Sequence, residues 1–363
     1  MSLLVDCRAL QTGSAVRGIG RYVNQLVRVL GEEEQTRFLF FTGKAPAWDP
    51  AMLGRRVLTP SPRRMITWSD SFFLPRVFSR SGVTCYHSTA FGLPKRVPKI
   101  RYLMTVFDLT PLLFPHLCSC RLRLVFKRIV QSAQRADLII TISKRTATDL
   151  QKFVTIPDDR IVTVYNFLDP LPASQEEATP ARSLPESFLL YVGGADRSKN
   201  LETLLTAVTR LQIPLVVVGA ITMARRKELL LPLAERDHHL ISFTGYIPDA
   251  ELNFLYRKAK ALALPSLNEG FGYPPLEALR HGTPVLVSKA GALPEILEDA
   301  ALYVERVQDP NEWQTKISEL LSNTTLREQL LAKGKLLLPR YEPQKIARQW
   351  SRIYRLSDSG EIF

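Results

Sequence analysis

The sequence predicts an α/β protein built from two Rossmann-like, doubly wound domains that face a cleft. Three observations lead there. The chain has 363 residues, more than one hydrophobic core usually organises. Short β-branched runs alternate with longer amphipathic ones, the pattern of βαβ units around parallel sheets. That alternation runs its course twice, on either side of the stretch DPLPASQEEATPARSLPES at 169–187, which has four prolines and no apolar periodicity and so reads as a linker.

In the first half, strands are expected at 3–6, 37–41, 83–86, 102–107, 138–142 and 161–164, with helices at 20–30, 119–134 and 144–153. The second half restarts with strands at 188–192, 215–219, 240–244, 261–265 and 284–287, separated by helices such as 200–211 and 249–259. The expected division is residues 1–168 as an acceptor-side domain, 169–187 as linker, 188–342 as a nucleotide-binding domain and 343–363 as a helical segment crossing back to the first domain. Open α/β sheets bind ligands just beyond the carboxyl ends of their strands, so the functional residues should follow strands.

Composition narrows the function classes. Hydrophobic residues make up 45% and charged residues 23%, as in an ordinary globular protein rather than a disordered one. The cysteines Cys7, Cys85, Cys118 and Cys120 form no C-x-x-C pair, so neither a disulfide framework nor structural zinc is expected, and the protein is placed in a reducing, cytoplasmic compartment. Asp6 follows Met1 too closely for a signal peptide, and no run of about 18 apolar residues follows. Residues 1–168 hold 25 Lys and Arg against 11 Asp and Glu, a balance of +14, whereas residues 169–363 hold 23 against 24, a balance of −1. A basic first half suits a phosphorylated substrate or an anionic membrane surface. Nucleic acid is not expected, because no recognisable module or interleaved aromatic motif accompanies the charge. The helix around 121–135 mixes Arg121, Arg123, Lys127, Arg128 and Arg135 with Leu122, Leu124, Val125, Phe126, Ile129 and Val130, which fits a solvated amphipathic helix or an interfacial one at the inner face of a membrane.

The chemistry concentrates in PSLNEGFGYPPLEALRHGTPVLVSKAGALPEILEDAALYV, residues 265–304. A buried strand ends, the loop Gly270-Phe271-Gly272 follows, and Pro274 and Pro275 suit the start of a helix. Such a terminus can hold phosphate or sugar oxygens. Glu269 and Glu277 bracket it; on spacing alone they are two groups facing one ligand, or a cap and a solvated helix residue.

Glu269 and Glu277, a Glu, seven residues and a Glu, make the segment resemble the signature of the family-4 retaining glycosyltransferases, enzymes of the GT-B fold that use nucleotide-activated sugars. The phrases Tyr191-Val-Gly-Gly194 through Lys199-Asn200, Phe243-Thr-Gly-Tyr246, Leu255-Tyr256 with Ala259, Gly291 and Pro294-Glu295 match the same family, so the resemblance covers most of 188–305. It implies that Glu269 contacts hydroxyls of the donor sugar, that the Gly270–Gly272 N–H groups hold sugar or phosphate oxygens, that Glu277 takes the ribose hydroxyls and that Tyr246 and Ile247 border the base. Lys199 aligns with the family's diphosphate lysine, near Gly193 and Gly194. The family often has an arginine where Gly194 stands, for which Arg197 is the substitute. A cation there stabilises the charge that grows on a departing diphosphate.

In the first half, GSAVRGIGRY at 13–22 lacks the third glycine of a dinucleotide fingerprint and looks like the family's glycine loop, implying donor contacts at Gly18, Gly20 and Arg21. YLMTVFDLTPLLFP at 102–115 has Phe107 where the family usually has histidine, and keeps Asp108. His87 either faces the cleft or is a satisfied histidine. The implied reaction moves a hexose from a nucleoside diphosphate sugar to a glycan or lipid-linked hydroxyl with retention. GDP-mannose is the first donor expected, because Asp6-Cys-Arg8-Ala-Leu10 with Gly18-Ile-Gly-Arg-Tyr22 resembles the family's mannosyltransferases, with UDP-glucose and dTDP-rhamnose as open alternatives. No D-x-D occurs, so neither a metal nor another cofactor is expected. Phe107 and Gly194 motivate the alternative, a non-catalytic nucleotide-sugar-binding protein of the same fold.

Overall fold

A computed structural model describes residues 2–13, 15, 18–30, 35–42, 55–59, 66–170 and 184–359, without the side chains of 66–69 and 355–359. Residues 14, 16 and 17 of the expected glycine loop and 171–183 of the expected linker lie outside the described residues. The chain divides into two compact units, Met1–Asp169 with Pro343–Phe363, and Pro170–Glu342.

The first unit runs β1 (Leu3–Asp6), α1 (Gly18–Leu30), β2 (Thr36–Phe41), β3 (Arg56–Thr59), α2 (Ile66–Ser81), β4 (Cys85–Ser88), β5 (Arg101–Val106), α3 (Thr110–Leu113), α4 (Cys120–Ser132), β6 (Leu138–Thr141), α5 (Lys144–Gln151) and β7 (Ile161–Thr163). Its sheet is parallel, in the order β3-β2-β1-β4-β5-β6-β7. Helices cover both faces of such a sheet, which is why β1, LLVD, is buried at every position, Asp6 included. The Asp6 charge is met by Arg8, whose Nη2 lies 2.6 Å from Asp6 Oδ2 and whose Nη1 lies 2.7 Å from Asp70 Oδ1, all three side chains fully buried. Asp6 and Arg8 therefore serve as a buried clamp between β1 and α2. Neither β3 nor α2 was expected from the sequence. β3 is a short edge strand with two polar residues in four, and α2 carries Pro75 in its interior, a residue that ordinarily argues against a helix.

The second unit runs β8 (Leu189–Val192), α6 (Leu201–Arg210), β9 (Leu215–Val218), α7 (Met223–Leu230), β10 (Ile241–Gly245), α8 (Asp249–Lys258), β11 (Ala261–Leu264), α9 (Tyr273–Arg280), β12 (Val285–Ser288), α10 (Leu293–Leu297), β13 (Leu302–Val304), α11 (Pro310–Ser322) and α12 (Thr324–Leu337). The parallel order is β10-β9-β8-β11-β12-β13. β13, three residues long, was also not expected. Its neighbours show why the sheet continues there: Leu286 pairs with Leu302 and Ser288 with Val304.

α13 (Pro343–Ser359) belongs to the first unit. It buries Ile346, Trp350, Ile353 and Tyr354, each such side chain contributing about 1.5–3 kcal/mol of transfer free energy. Trp350 meets the Tyr22 ring at 5.9 Å, and Tyr354 OH lies 2.7 Å from His87 Nδ1.

Candidate active site

In each sheet the strand order reverses once: the chain builds outward on one side, returns to the middle and builds outward on the other. The reversal falls between β8 and β11 in the second unit and between β1 and β4 in the first. At such a switch point the loops leaving neighbouring strands diverge and open a crevice.

The loop after β8 and the loop after β11 meet at the second unit's switch point. Lys199 Nζ lies 2.7 Å from Glu269 Oε1, their side chains 26% and 16% exposed. Ser266 Oγ donates to the same oxygen at 2.6 Å. The loops are also joined through the backbone, Leu267 N–H donating to Ser198 O at 2.8 Å, and through Asn200 Nδ2, which donates to Pro265 O at 3.2 Å and Val307 O at 2.9 Å. Asn200 stands at the N-cap position of α6, in the left-handed region, but its side chain caps no backbone N–H. Its Oδ1 accepts from Thr203 Oγ1 at 2.8 Å, so the side chain is a brace between the two loops.

Glu269 is held from behind by the turn after β12. Ala292 N–H donates to Glu269 O at 2.8 Å, and Gly291 has φ of 57°, with a built Cβ 2.5 Å from both the N and the O of Glu269. Only glycine adopts that backbone without strain and leaves that space.

Gly193 and Gly194 begin the Lys199 loop. Tyr191, buried beneath them, donates its hydroxyl to Gly194 O; burial, reinforced by Glu269, pushes its phenol well above the usual range. Arg197 does not join Lys199: its side chain is 66% exposed and its nearest carboxylate partner is Glu228 at 4.0 Å. A 3-10 turn over Arg197–Lys199 separates the two side chains. The arginine that does engage the loop is Arg225, whose Nε donates to Ala195 O at 2.8 Å while its Nη1 pairs with Glu228 at 2.8 Å. Sequence reasoning missed Arg225 because it lies on α7, beyond the matched phrases.

Gly270 and Gly272 lie in the β11–α9 loop, Gly272 at the N-cap with φ of 98°. Tyr273 is the first helical residue and the next two are the prolines, so the terminus offers N–H donors at Gly272 and Tyr273 and none at 274 or 275. Phe271, expected to take part through its backbone N–H, turns its side chain inward: it is 3% exposed and packs against Tyr273 and Tyr341 at 5.2 and 5.5 Å. It anchors the loop to the core. Glu277, one turn into α9, accepts from Tyr256 OH at 2.8 Å, and the Tyr256 ring stacks on His281 at 5.6 Å. His281 is pushed down to about 4, by burial first and then by Arg280 and Arg257. Beyond β10, Tyr246 is 70% exposed, whereas Ile247 is 4% exposed and turned into the core, so of that pair only Tyr246 presents a side chain.

In the first unit, Gly18 opens α1 and Gly20 lies against the loop, its built Cβ 2.2 Å from Ala15 O. Arg21 Nε lies 2.9 Å from Asp169 Oδ2, which ties the start of α1 to the end of the unit. Phe107 meets the Tyr22 ring edge-on at 4.9 Å, so this aromatic packs on α1 where the family usually has histidine. Asp108 Oδ1 accepts from Thr110 N–H at 2.9 Å, ahead of α3. His87 is fully buried, bonded through Nδ1 to Tyr354 and through Nε2 to Thr105 Oγ1 at 2.8 Å. Burial lowers it to about 3, against the opposing pull of Asp6; it is a satisfied interior histidine and does not face a cleft. Cys7, Cys85, Cys118 and Cys120 are in no disulfide, and among the described residues no cluster of His, Cys, Asp and Glu could hold a metal ion. No helix among them is long and apolar enough to cross a membrane.

Comparison with known proteins agrees with this geometry. Residues 16–170 match the model of Glycosyltransferase Family 4, and residues 174–336 match that of Glycosyl transferases group 1. The chain is 31% identical over 289 residues to O-antigen chain mannosyltransferase B of Escherichia coli, covering 75% of this chain and 74% of that one. It is 28% identical over 371 residues to the serotype-specific mannosyltransferase WbdA of Escherichia coli, of which it spans 43%. Among solved structures, sucrose-phosphate synthase from Thermosynechococcus elongatus superposes with a TM-score of 0.79 at 20% identity, over 99% of both chains, a likeness of the GT-B fold. The switch-point pair, the two sheets and the matches along both units agree: the chain is a family-4 glycosyltransferase whose second unit is a glycosyl transferases group 1 domain.

Proposed function

We propose that the chain transfers mannose from GDP-mannose to a hydroxyl of a growing glycan or lipid-linked acceptor, with retention of configuration, in the synthesis of a surface polysaccharide. The observation that supports this most is the Lys199–Glu269 pair, at 2.7 Å, where the strand order reverses. Lys199 supplies a cation where a diphosphate would leave; negative charge grows on that group as the bond from the sugar carbon breaks, so the interaction strengthens toward the transition state. Glu269 accepts from hydroxyls of the donor sugar, with Ser266 and Lys199 keeping its carboxylate in place. The glycine loop N–H groups hold sugar or phosphate oxygens, Glu277 accepts from the ribose hydroxyls and Tyr246 borders the base. The acceptor oxygen bonds to the sugar carbon on the face the diphosphate leaves, and the acceptor proton passes to a diphosphate oxygen. Gly18, Gly20 and Asp108 are assigned to the first unit's side of the reaction.

The names of the E. coli relatives, an O-antigen chain mannosyltransferase and a serotype-specific mannosyltransferase, support mannose and a polysaccharide acceptor. The test is a panel of GDP-mannose, UDP-glucose and dTDP-rhamnose, read as thermal stabilisation and as slow donor hydrolysis. Stabilisation and turnover are expected with GDP-mannose. Turnover confined to another donor would overturn the sugar assignment, and binding without turnover of any donor would overturn the catalytic one.

A further inference from the structure

Arg226 lies one turn into α7, beside the carboxyl ends of β9 and β10. Its Nε donates to Ile221 O at 3.1 Å, in the loop that leaves β9, and its guanidinium carbon stands over the Phe243 ring, 5.4 Å from the centroid. The side chain is half-buried. Neighbouring Arg225 pairs with Glu202 and Glu228. Among the described residues Arg226 pairs with no carboxylate, and its Nη1 and Nη2 meet no acceptor. Gly245, the last residue of β10, has φ of 77° and a built Cβ 3.7 Å from Arg226 Nη2, so the absent side chain leaves that nitrogen uncovered. The next residue is Tyr246, 70% exposed and assigned above to the base.

A guanidinium fixed at Nε, with a ring beneath it and both outer nitrogens open, is a pre-oriented pair of donors. It stands apart from the diphosphate. Lys199 follows β8, whereas Arg226 stands at the ends of β9 and β10, one and two strands along the sheet, roughly 5–10 Å at the usual strand spacing. The partner that matches such a fork is planar and carries two adjacent acceptors. Guanine presents that pair as O6 and N7; adenine sets an amino group beside N7, and uracil offers O4 beside a C–H. We propose that Arg226 reads guanine in the donor nucleotide, its Nη1 and Nη2 donating to O6 and N7. This rests on the nucleotide-sugar reading of the site and names the residue that selects the base.

Isothermal titration of the full chain with GDP, inosine diphosphate, 7-deaza-GDP, ADP and UDP tests it. Inosine diphosphate keeps O6 and N7 without the 2-amino group, and 7-deaza-GDP loses N7 alone. GDP and inosine diphosphate are expected to bind alike, with 7-deaza-GDP, ADP and UDP weaker on the order of 10-fold or more. Arg226→Lys keeps the charge and loses the fork, and Arg226→Met keeps a long side chain over Phe243. Both bring GDP affinity down toward that of UDP and leave UDP affinity unchanged, whereas Lys199→Ala weakens every nucleotide alike. An arginine that only braced α7 would not move the GDP-to-UDP ratio. Thermal unfolding establishes that each variant is folded, and the analogue series on the wild type needs no variant. An unchanged ratio in both variants, an equal loss for GDP and UDP as from a phosphate contact, or wild-type binding of 7-deaza-GDP or UDP as tight as GDP each overturns the role of Arg226 alone. Binding of no nucleoside diphosphate overturns the donor-site reading and this role with it.

Discussion

The phenol of Tyr256 donates to Glu277 Oε2 at 2.8 Å, and the same ring stacks on His281 at 5.6 Å. Tyr256 is thereby a positioning residue: it fixes the carboxylate assigned to the ribose without itself reaching the crevice. Tyr256→Phe keeps the stacked ring and removes one hydrogen bond to a charged group, worth about 1.5 kcal/mol. The expected result is a rise in donor KM of roughly tenfold with kcat little changed. Steady-state kinetics check this, and an equal fall in kcat at unchanged KM would place Tyr256 in the chemical step.

Lys199→Ala removes the cation assigned to the departing diphosphate. Loss of such a preorganised electrostatic contact costs on the order of 10²–10³ in kcat. Glu269→Ala is expected to abolish transfer as well. Isothermal titration with the nucleoside diphosphate separates their effects: Lys199→Ala weakens binding of the product, whereas Glu269→Ala, which loses sugar contacts, leaves it nearly intact.

Gly291→Ala places a methyl 2.5 Å from the backbone of Glu269 at a φ of 57°. The turn after β12 and the Glu269 loop cannot both keep their positions. A loss of on the order of 2–4 kcal/mol in unfolding free energy is expected, together with activity well below that of the wild type even where the variant is folded. Urea denaturation and transfer assays at low temperature check the two effects independently.

His87 gives the first unit an acid-sensitive interior. The ring faces the hydroxyls of Tyr354 and Thr105 and the Trp350 ring, and Asp6 is the charged group that opposes its shift. The folded state holds it neutral down to about 3, whereas the unfolded chain takes up the proton near about 6.5. Stability from neutral His87 is therefore fully present above the unfolded value and lost as pH falls below it, at up to about 1.4 kcal/mol per pH unit. His87→Gln should flatten the decline in unfolding free energy between about pH 6 and pH 4. An unchanged slope would refute the assignment.

The two sheets were legible because buried parallel strands are runs such as LVVV at 215–218, which no other element of that length resembles. The edges were not. Arg56–Thr59 and Leu302–Val304 are short and partly exposed, and their pairing is decided by neighbouring strands rather than by their own composition. At the site, Lys199 and Glu269 were found because each follows a strand and belongs to a recognisable phrase. Arg225 and Tyr256 gave weaker signals: one is a cation among cations on α7, and the other reaches Glu277 only once α8 and α9 pack together. Arg197 misled because proximity in sequence to Lys199 says nothing about which side of a 3-10 turn a side chain leaves.

The membership of α13 in the first unit has a consequence for synthesis. The chain leaves that unit at Asp169 and returns to it at Pro343, so the ribosome completes the second unit before it supplies the helix that covers Tyr22 and His87. Domains generally fold as they emerge. The second unit can therefore mature while the first still waits, its Tyr22–His87 surface uncovered, for α13 to arrive.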